Sequence, residues 1–126
     1  MTVKFLSTEW ADAVTAALNS SADFKQAAAN QKATIQQIIT GDTETHYWII
    51  IADGAIDMGV GDTPTPDATI TQSFDTAVGL AKGTVSAVTA FMTGKIKVAG
   101  NMGMLLGLQG ALSQLPIAMS AIDVEY

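Results

Sequence analysis

The sequence predicts an α+β fold, and three observations carry that prediction. Apolar residues follow a helical period near the N-terminus, switch to strand-like runs from Lys32, and return to a helical period after Ser73. The strand-like runs are punctuated by Gly-Asp and Asp-Gly pairs, which are turn signals. No internal repeat and no linker composition interrupts the 126 residues, so residues 1–126 are expected to form a single domain.

The first helix is capped by Ser7, with Glu9 in its first turn where the helix dipole favours an acid. Trp10, Val14, Ala17 and Leu18 share one apolar face, and the Asn-Ser-Ser that follows ends the pattern. The run ADFKQAAANQ adds a second helical turn carrying Phe24. Four β-rich runs come next: KATIQQIITG, GDTETHYWIIIADG, AIDMGVGD and DATITQS. Gly41-Asp42 and Asp53-Gly54 make the first three an antiparallel meander. In the third run Ile56, Met58 and Val60 face one way and Asp57, Gly59 and Gly61 the other, the pattern of a sheet covered on one face. The helical stretch from Phe74 breaks at Lys82-Gly83 and resumes through Val85, Val88, Phe91 and Met92. GKIKVAG supplies a fifth strand with Ile96 and Val98 inward. A final helix is expected from near Asn101 to just before Pro116, and the tail folds back to cover Ile117, Met119 and Ile122.

Composition excludes several function classes. The chain is 48% hydrophobic and only 14% charged, below the ~25% charge of an average domain, so it has much apolar surface to hide. Its net charge of −6, with six lysines and no arginine, cannot assemble a nucleic-acid-binding face, and no nucleic-acid partner is expected. The same deficit disfavours stable attachment to anionic membranes and removes the bidentate phosphate clamp. Without cysteine there is no disulfide, thiolate catalysis or cysteine metal site. The N-terminal MTVKFLSTEW lacks the apolar core of a signal peptide, so a cytoplasmic location is expected. Residues 98–122 carry no charge and are long enough to span a bilayer. Their four glycines, Pro116 and polar residues, and the stripe Leu105, Leu108, Leu112 and Leu115, suit a half-buried helix better.

Candidate chemistry is sparse. His46 is the one histidine and starts a strand without partners at ligand or base spacing, so it reads as structural or solvent-facing. Asp53, Asp57, Asp62 and Asp67 fail the spacing of a calcium loop and read as solvated turn charges. No serine, threonine or lysine stands in a nucleophile motif. No catalytic residue, metal or cofactor is expected. The stretch GKIKVAGNMGMLLGLQG runs from strand through glycines to helix as a phosphate loop does, but it lacks the third glycine of G-x-G-x-x-G and the Lys-Ser/Thr of a P-loop. Gly103, Gly107 and Gly110 instead thin one side of the last helix. Met92, Met102 and Met104 cluster there with Phe91, which fits an adaptable apolar pocket or simple core filling.

The segment AFMTGKIKVAGNMGMLLGLQGAL resembles the C-terminal signature of the sterol carrier protein type 2 domain. Ala90-Phe91, the strand from Gly94 to Val98, Gly100-Asn101 and Leu108-Gln109 match that signature in order. The order of the upstream elements is similar over nearly the whole chain. The resemblance implies a five-stranded, mostly antiparallel sheet covered on one face by about five helices, with an apolar tunnel between sheet and helices. It also implies non-enzymatic binding and transfer of sterols, fatty acids or fatty acyl thioesters. The chain ends VEY, which is not the family's peroxisomal address.

The function expected is therefore a lipid carrier: a hydrophobic small-molecule ligand, at most transient membrane contact, and no chemistry. Each buried CH₂ of an alkyl chain contributes ~0.8 kcal/mol. The residues expected to line the pocket are Trp48, Ile50, Met58, Phe91, Met102, Leu105, Leu108 and Leu112. A one-residue change of strand face would exchange Trp48 and Ile50 for Tyr47, Ile49 and Ile51. Two rivals stay open: an interaction or oligomerisation module using the same apolar C-terminal helix, and an enzyme or enzyme partner acting on a lipid-like substrate.

Overall fold

The computed structural model describes residues 2–85 and 87–125, leaving the side chains of Val88 and Gln109, both used above, outside the described set. Its elements in chain order are β1 (Val3–Lys4), α1 (Thr8–Asn19), α2 (Ala22–Ala27), β2 (Lys32–Thr40), β3 (Thr45–Ala52), β4 (Ala55–Val60) and β5 (Ala68–Ser73). There follow α3 (Phe74–Lys82), α4 (Ala87–Met92), β6 (Ile96–Gly100), α5 (Met102–Gly107), α6 (Gln109–Leu112), α7 (Gln114–Ser120) and β7 (Val124–Glu125). Five strands make one mixed sheet in the order β4-β3-β2-β5-β6, with helices packed on one face, which is the α+β arrangement expected.

Local chemistry explains where the elements start. The Ser7 hydroxyl accepts the Trp10 N–H at 3.2 Å, and Ser21 does the same for Phe24, capping α1 and α2. Trp10, Ala11, Val14 and Leu18 are buried on one face of α1, which lies across β4. β4 is a sheet edge, and the Asn19 amide satisfies part of that edge. Its Nδ2 donates to the Ile56 carbonyl and its Oδ1 accepts the Ile56 N–H, both at 2.9 Å. Asp53 at φ 50° and Gly54 at φ 85° form the two-residue turn between β3 and β4, whose twist matches the flanking strands.

The meander β2-β3-β4 is antiparallel, whereas β5 pairs with β2 in parallel. The parallel pair begins where the Asp67 carboxylate accepts the Thr34 N–H at 2.8 Å and the Asp67 N–H donates to the Thr34 carbonyl at 2.7 Å. β6 adds antiparallel to β5 and ends at Gly100, with φ 107°. A Cβ there would sit 2.5 Å from the Asp67 carbonyl oxygen and 2.9 Å from Ala68 Cα, so the corner needs glycine. Asn101 then caps α5 by accepting the Met104 N–H at 3.0 Å. The Gly-Asn pair is thus a tight corner followed by a helix start.

Three sequence expectations are corrected. The last helix is not continuous: it breaks at Leu108 and Ser113 into α5, α6 and α7, which raises the helices to seven among the described residues. Pro116 does not terminate it but sits in the first turn of α7, where a missing N–H costs little. The tail does fold back, but through β7 pairing with β1, and Ile117 stays 60% exposed while Met119 is buried.

Strand register fixes which residues face the helices. Ile35, Ile49 and Met58 align across β2, β3 and β4, as do Ala33, Ile51 and Ile56. On β5 and β6 the same face carries Ala68, Ile70 and Gln72, then Ile96 and Val98. Trp48 and Ile50 therefore lie on the opposite face, against the expectation for them, because Ile50 pairs with Asp57 and Trp48 with Gly59. The Trp48 ring covers Gly59 so closely that a Cβ there would come within 2.2 Å of it. Beneath this outer face Gln36 is buried and holds the 61–63 loop, donating to the Gly61 carbonyl and accepting the Thr63 N–H.

Candidate functional site

Between the inner face of the sheet and helices α3, α5, α6 and α7 lies a cavity of about 320 Å³, within the size range of ligand cavities. β2, β3, β5 and β6 provide its floor through Gln37, Tyr47, Ile70, Gln72, Ile96 and Val98. Ala77, Leu80 and Ala81 of α3 form one wall. Met102, Leu105 and Leu106 of α5, with Leu112, Leu115 and Met119, form the other. Phe91 and Leu106 line the cavity yet are 46% and 61% exposed, so they stand at its mouth. Gln37, Gln72 and Tyr47 are the lining residues with polar side-chain atoms, and no charged side chain reaches the lining among the described residues.

The small side chains of Ala77 and Ala81, facing the cavity from α3, leave the space open; larger residues there would fill it. α3 itself is set by Ser73, whose hydroxyl accepts the Thr76 N–H, and is closed by Gly83 in the left-handed region at φ 76°. Burial pushes the Tyr47 phenol well above its usual range, so it stays protonated. Trp10 packs edge-on against Tyr47 with ring centroids 5.2 Å apart, fixing the ring from the α1 side.

Of the pocket residues expected from sequence, Phe91, Met102, Leu105 and Leu112 stand on the cavity wall. Met58 and Leu108 are buried in the hydrophobic core but outside the lining, and Trp48 and Ile50 are on the far face of the sheet. The expectation omitted Gln37 and Gln72 and gave Tyr47 only as an alternative. The signal for the glutamines was present. Gln37 lies two residues from both Ile35 and Ile39, and Gln72 two from Ile70, so each shares a face with core residues.

A larger open depression of about 780 Å³ lies where the N-terminal segment meets the 41–44 loop. Its lining mixes Lys4, Asp42, Thr43 and Asp75 with Phe5, Leu6 and Phe74, so it is a groove of mixed character. His46 lies outside both linings. Its Nδ1 contacts Asp62 at 2.5 Å and its Nε2 contacts Glu44 at 2.7 Å, and these two carboxylates raise its pKa by holding the doubly protonated ring. Among the described residues no group of acids and histidine is arranged to hold a metal. No helix of the described residues is long and apolar enough to cross a membrane.

Comparison with known proteins agrees with this fold. The model of the SCP-2 sterol transfer family matches residues 12–113. Peroxisomal multifunctional enzyme A of Dictyostelium discoideum is 40% identical over 75 residues, covering 57% of this chain and 17% of that protein. Sterol carrier protein 2 of Gallus gallus is 33% identical over 69 residues, 55% of this chain and 13% of that protein. The chain thus spans less than a quarter of the length of either relative. A crystal structure of sterol carrier protein 2 superposes with a TM-score of 0.80 at 18% identity, covering 94% of this chain and 98% of the other. That likeness carries the fold, and the family model, which covers most of the chain, carries membership: this chain belongs to the SCP-2 sterol transfer family.

Proposed function

We infer that residues 1–126 act as one domain that binds a hydrophobic ligand in the cavity and carries it through the cytoplasm without chemical change. Family membership supports lipid binding or transfer in general terms. The observation that carries the reading for this chain is the cavity itself: among the described residues, fifteen of the eighteen that line it have wholly apolar side chains, and it opens at Phe91 and Leu106. An alkyl chain seated there loses contact with water at ~0.8 kcal/mol per CH₂, so about ten methylenes outweigh association costs of several kcal/mol. Phe91, Met102, Leu105 and Leu112 make the apolar contacts from the helical side. The ligand classes proposed for it are sterols, fatty acids and fatty acyl thioesters.

Native mass spectrometry of the purified protein, followed by organic extraction, tests this reading. The expected result is a bound lipid, or uptake of one equivalent of a fluorescent sterol or fatty acid by the empty protein. A protein that is empty and takes up neither contradicts it.

One observation favours a second reading. Met92 and Ile117 are 79% and 60% exposed, and with Phe91 and Leu106 they give the α4, α5 and α7 region an apolar surface. Such a surface suits transient membrane contact during ligand exchange, or a second copy of the chain. Size that rises with concentration in light scattering, with no lipid bound, favours the interaction module.

A further inference from the structure

The cavity floor carries a polar row that an apolar tail cannot satisfy. Gln37 and Tyr47 are direct cross-strand partners on β2 and β3, and Gln72 lies diagonally across on β5, all three on the inner face. Gln37 and Gln72 are each more than nine-tenths buried. Gln72 Nε2 donates to Gln37 Oε1 at 3.2 Å, while Gln72 Oε1 is buried without a partner among the described residues. Turning both amides over does not remove the deficit. Two amides joined by one hydrogen bond still leave one oxygen and further N–H groups to be satisfied. A buried amide left unpaired is costly, so nothing in the fold alone accounts for two glutamines at a position where Ile or Leu would pack.

We propose that Gln37, Gln72 and Tyr47 form the head-group site of the cavity, selecting a neutral lipid whose head both donates and accepts a hydrogen bond, namely an aliphatic alcohol. This rests on the lipid-binding reading above. A hydroxyl donates to the free amide oxygen and accepts from the free amide N–H or the phenol, which matches what the row offers. A carboxylate has no proton to donate and, among the described residues, no cation in the lining to pair with, so burying it here leaves its charge uncompensated. The ligand then enters head first, its hydroxyl on the sheet and its tail toward Phe91 and Leu106 at the mouth. The selection is exercised by head chemistry, and chain length is set separately by the apolar walls.

The test uses four probes on the whole chain at pH 7.5: a neutral pyrene-bearing alkane, and 1-dodecanol, dodecyl methyl ether and dodecanoate as its competitors. Dodecanol is expected to displace the pyrene probe at about tenfold lower concentration than either the ether, which lacks the donor, or the carboxylate. In the paired variant Gln37→Leu/Gln72→Leu both amides go together, so neither is left without the other. That variant is expected to bind dodecanol and the ether alike, since the remaining Tyr47 phenol can donate to either oxygen. Wild type that binds the pyrene alkane but prefers dodecanoate, or does not distinguish alcohol from ether, overturns this proposal alone. An alcohol preference that persists in the paired variant also overturns it. Failure of wild type to bind the pyrene alkane overturns the cavity reading and this proposal with it.

Discussion

Gly100 and His46 show how differently two single residues matter. At Gly100 the backbone is in the left-handed region and the space for a Cβ is already occupied by the Asp67 carbonyl. Gly100→Ala is expected to lower stability by ~1–3 kcal/mol, read as a lower midpoint in urea unfolding with unchanged slope. An unchanged midpoint contradicts the close approach of β6 to Asp67. His46 is on the surface, and its effect is one of pH. Asp62 and Glu44 raise its pKa in the folded state above the ordinary value of 6.5. Its contribution is therefore fully present below about pH 6.5 and is lost as pH rises through the raised value. Exposed pairs are worth ~0.2–1 kcal/mol, so the effect is small. Thermal unfolding should show wild type losing part of its margin over His46→Gln as pH goes from 6 to 9; parallel curves contradict the ion pairs.

At the scale of elements, strands with clean alternation were legible and continuous apolar runs were not. Ile56, Met58 and Val60 alternate with Asp57 and Gly59, and the inner face of β4 follows directly. Trp48-Ile49-Ile50-Ile51 has no alternation, so its face cannot be read from β3 alone. The two-residue turn at Asp53-Gly54 carries the missing information: it pairs Ile50 with Asp57 and sends it outward. In the last helix the stripe Leu105, Leu108, Leu112 and Leu115 runs straight through both breaks. The break at Ser113 accompanies a local hydrogen bond from its hydroxyl to the Gly110 carbonyl at 2.8 Å, a competition that periodicity does not register. Asn19→Ala leaves the Ile56 edge groups without their partner and is expected to cost ~1–3 kcal/mol in urea unfolding, while no loss contradicts its role in tying α1 to β4. A Cβ at Gly107 meets nothing within 4 Å, so Gly107→Ala is expected to stabilise by ~0.4–1 kcal/mol and to slow release of a bound pyrene alkane. Faster release contradicts the expectation that a stiffer α5 on the cavity wall holds the ligand longer.

At the scale of the whole molecule, the non-local pairings were the least legible. β5 joins β2 in parallel only after the chain has crossed β3, β4 and the Pro64–Pro66 loop, and no local signal states that partner. β1 and β7 are two residues each, too short for any period, yet they bring the two ends of the chain together. Both pairings shape the cavity, since β5 provides Ile70 and Gln72 to its floor, and Phe5, next to β1, contributes to its lining. The cavity was anticipated by resemblance, and its polar floor was readable only once Gln37 and Gln72 were placed on the inner face. The proposed function requires that this space take an apolar chain. Titration of a neutral pyrene-bearing alkane into wild type, Ala81→Phe and Trp48→Ala tests it most directly. Wild type is expected to bind one-to-one, with affinity at least about tenfold weaker when Phe fills the α3 wall and no change when the outer-face indole is removed. Absent binding by wild type, or an Ala81→Phe variant that binds as wild type does, would contradict it.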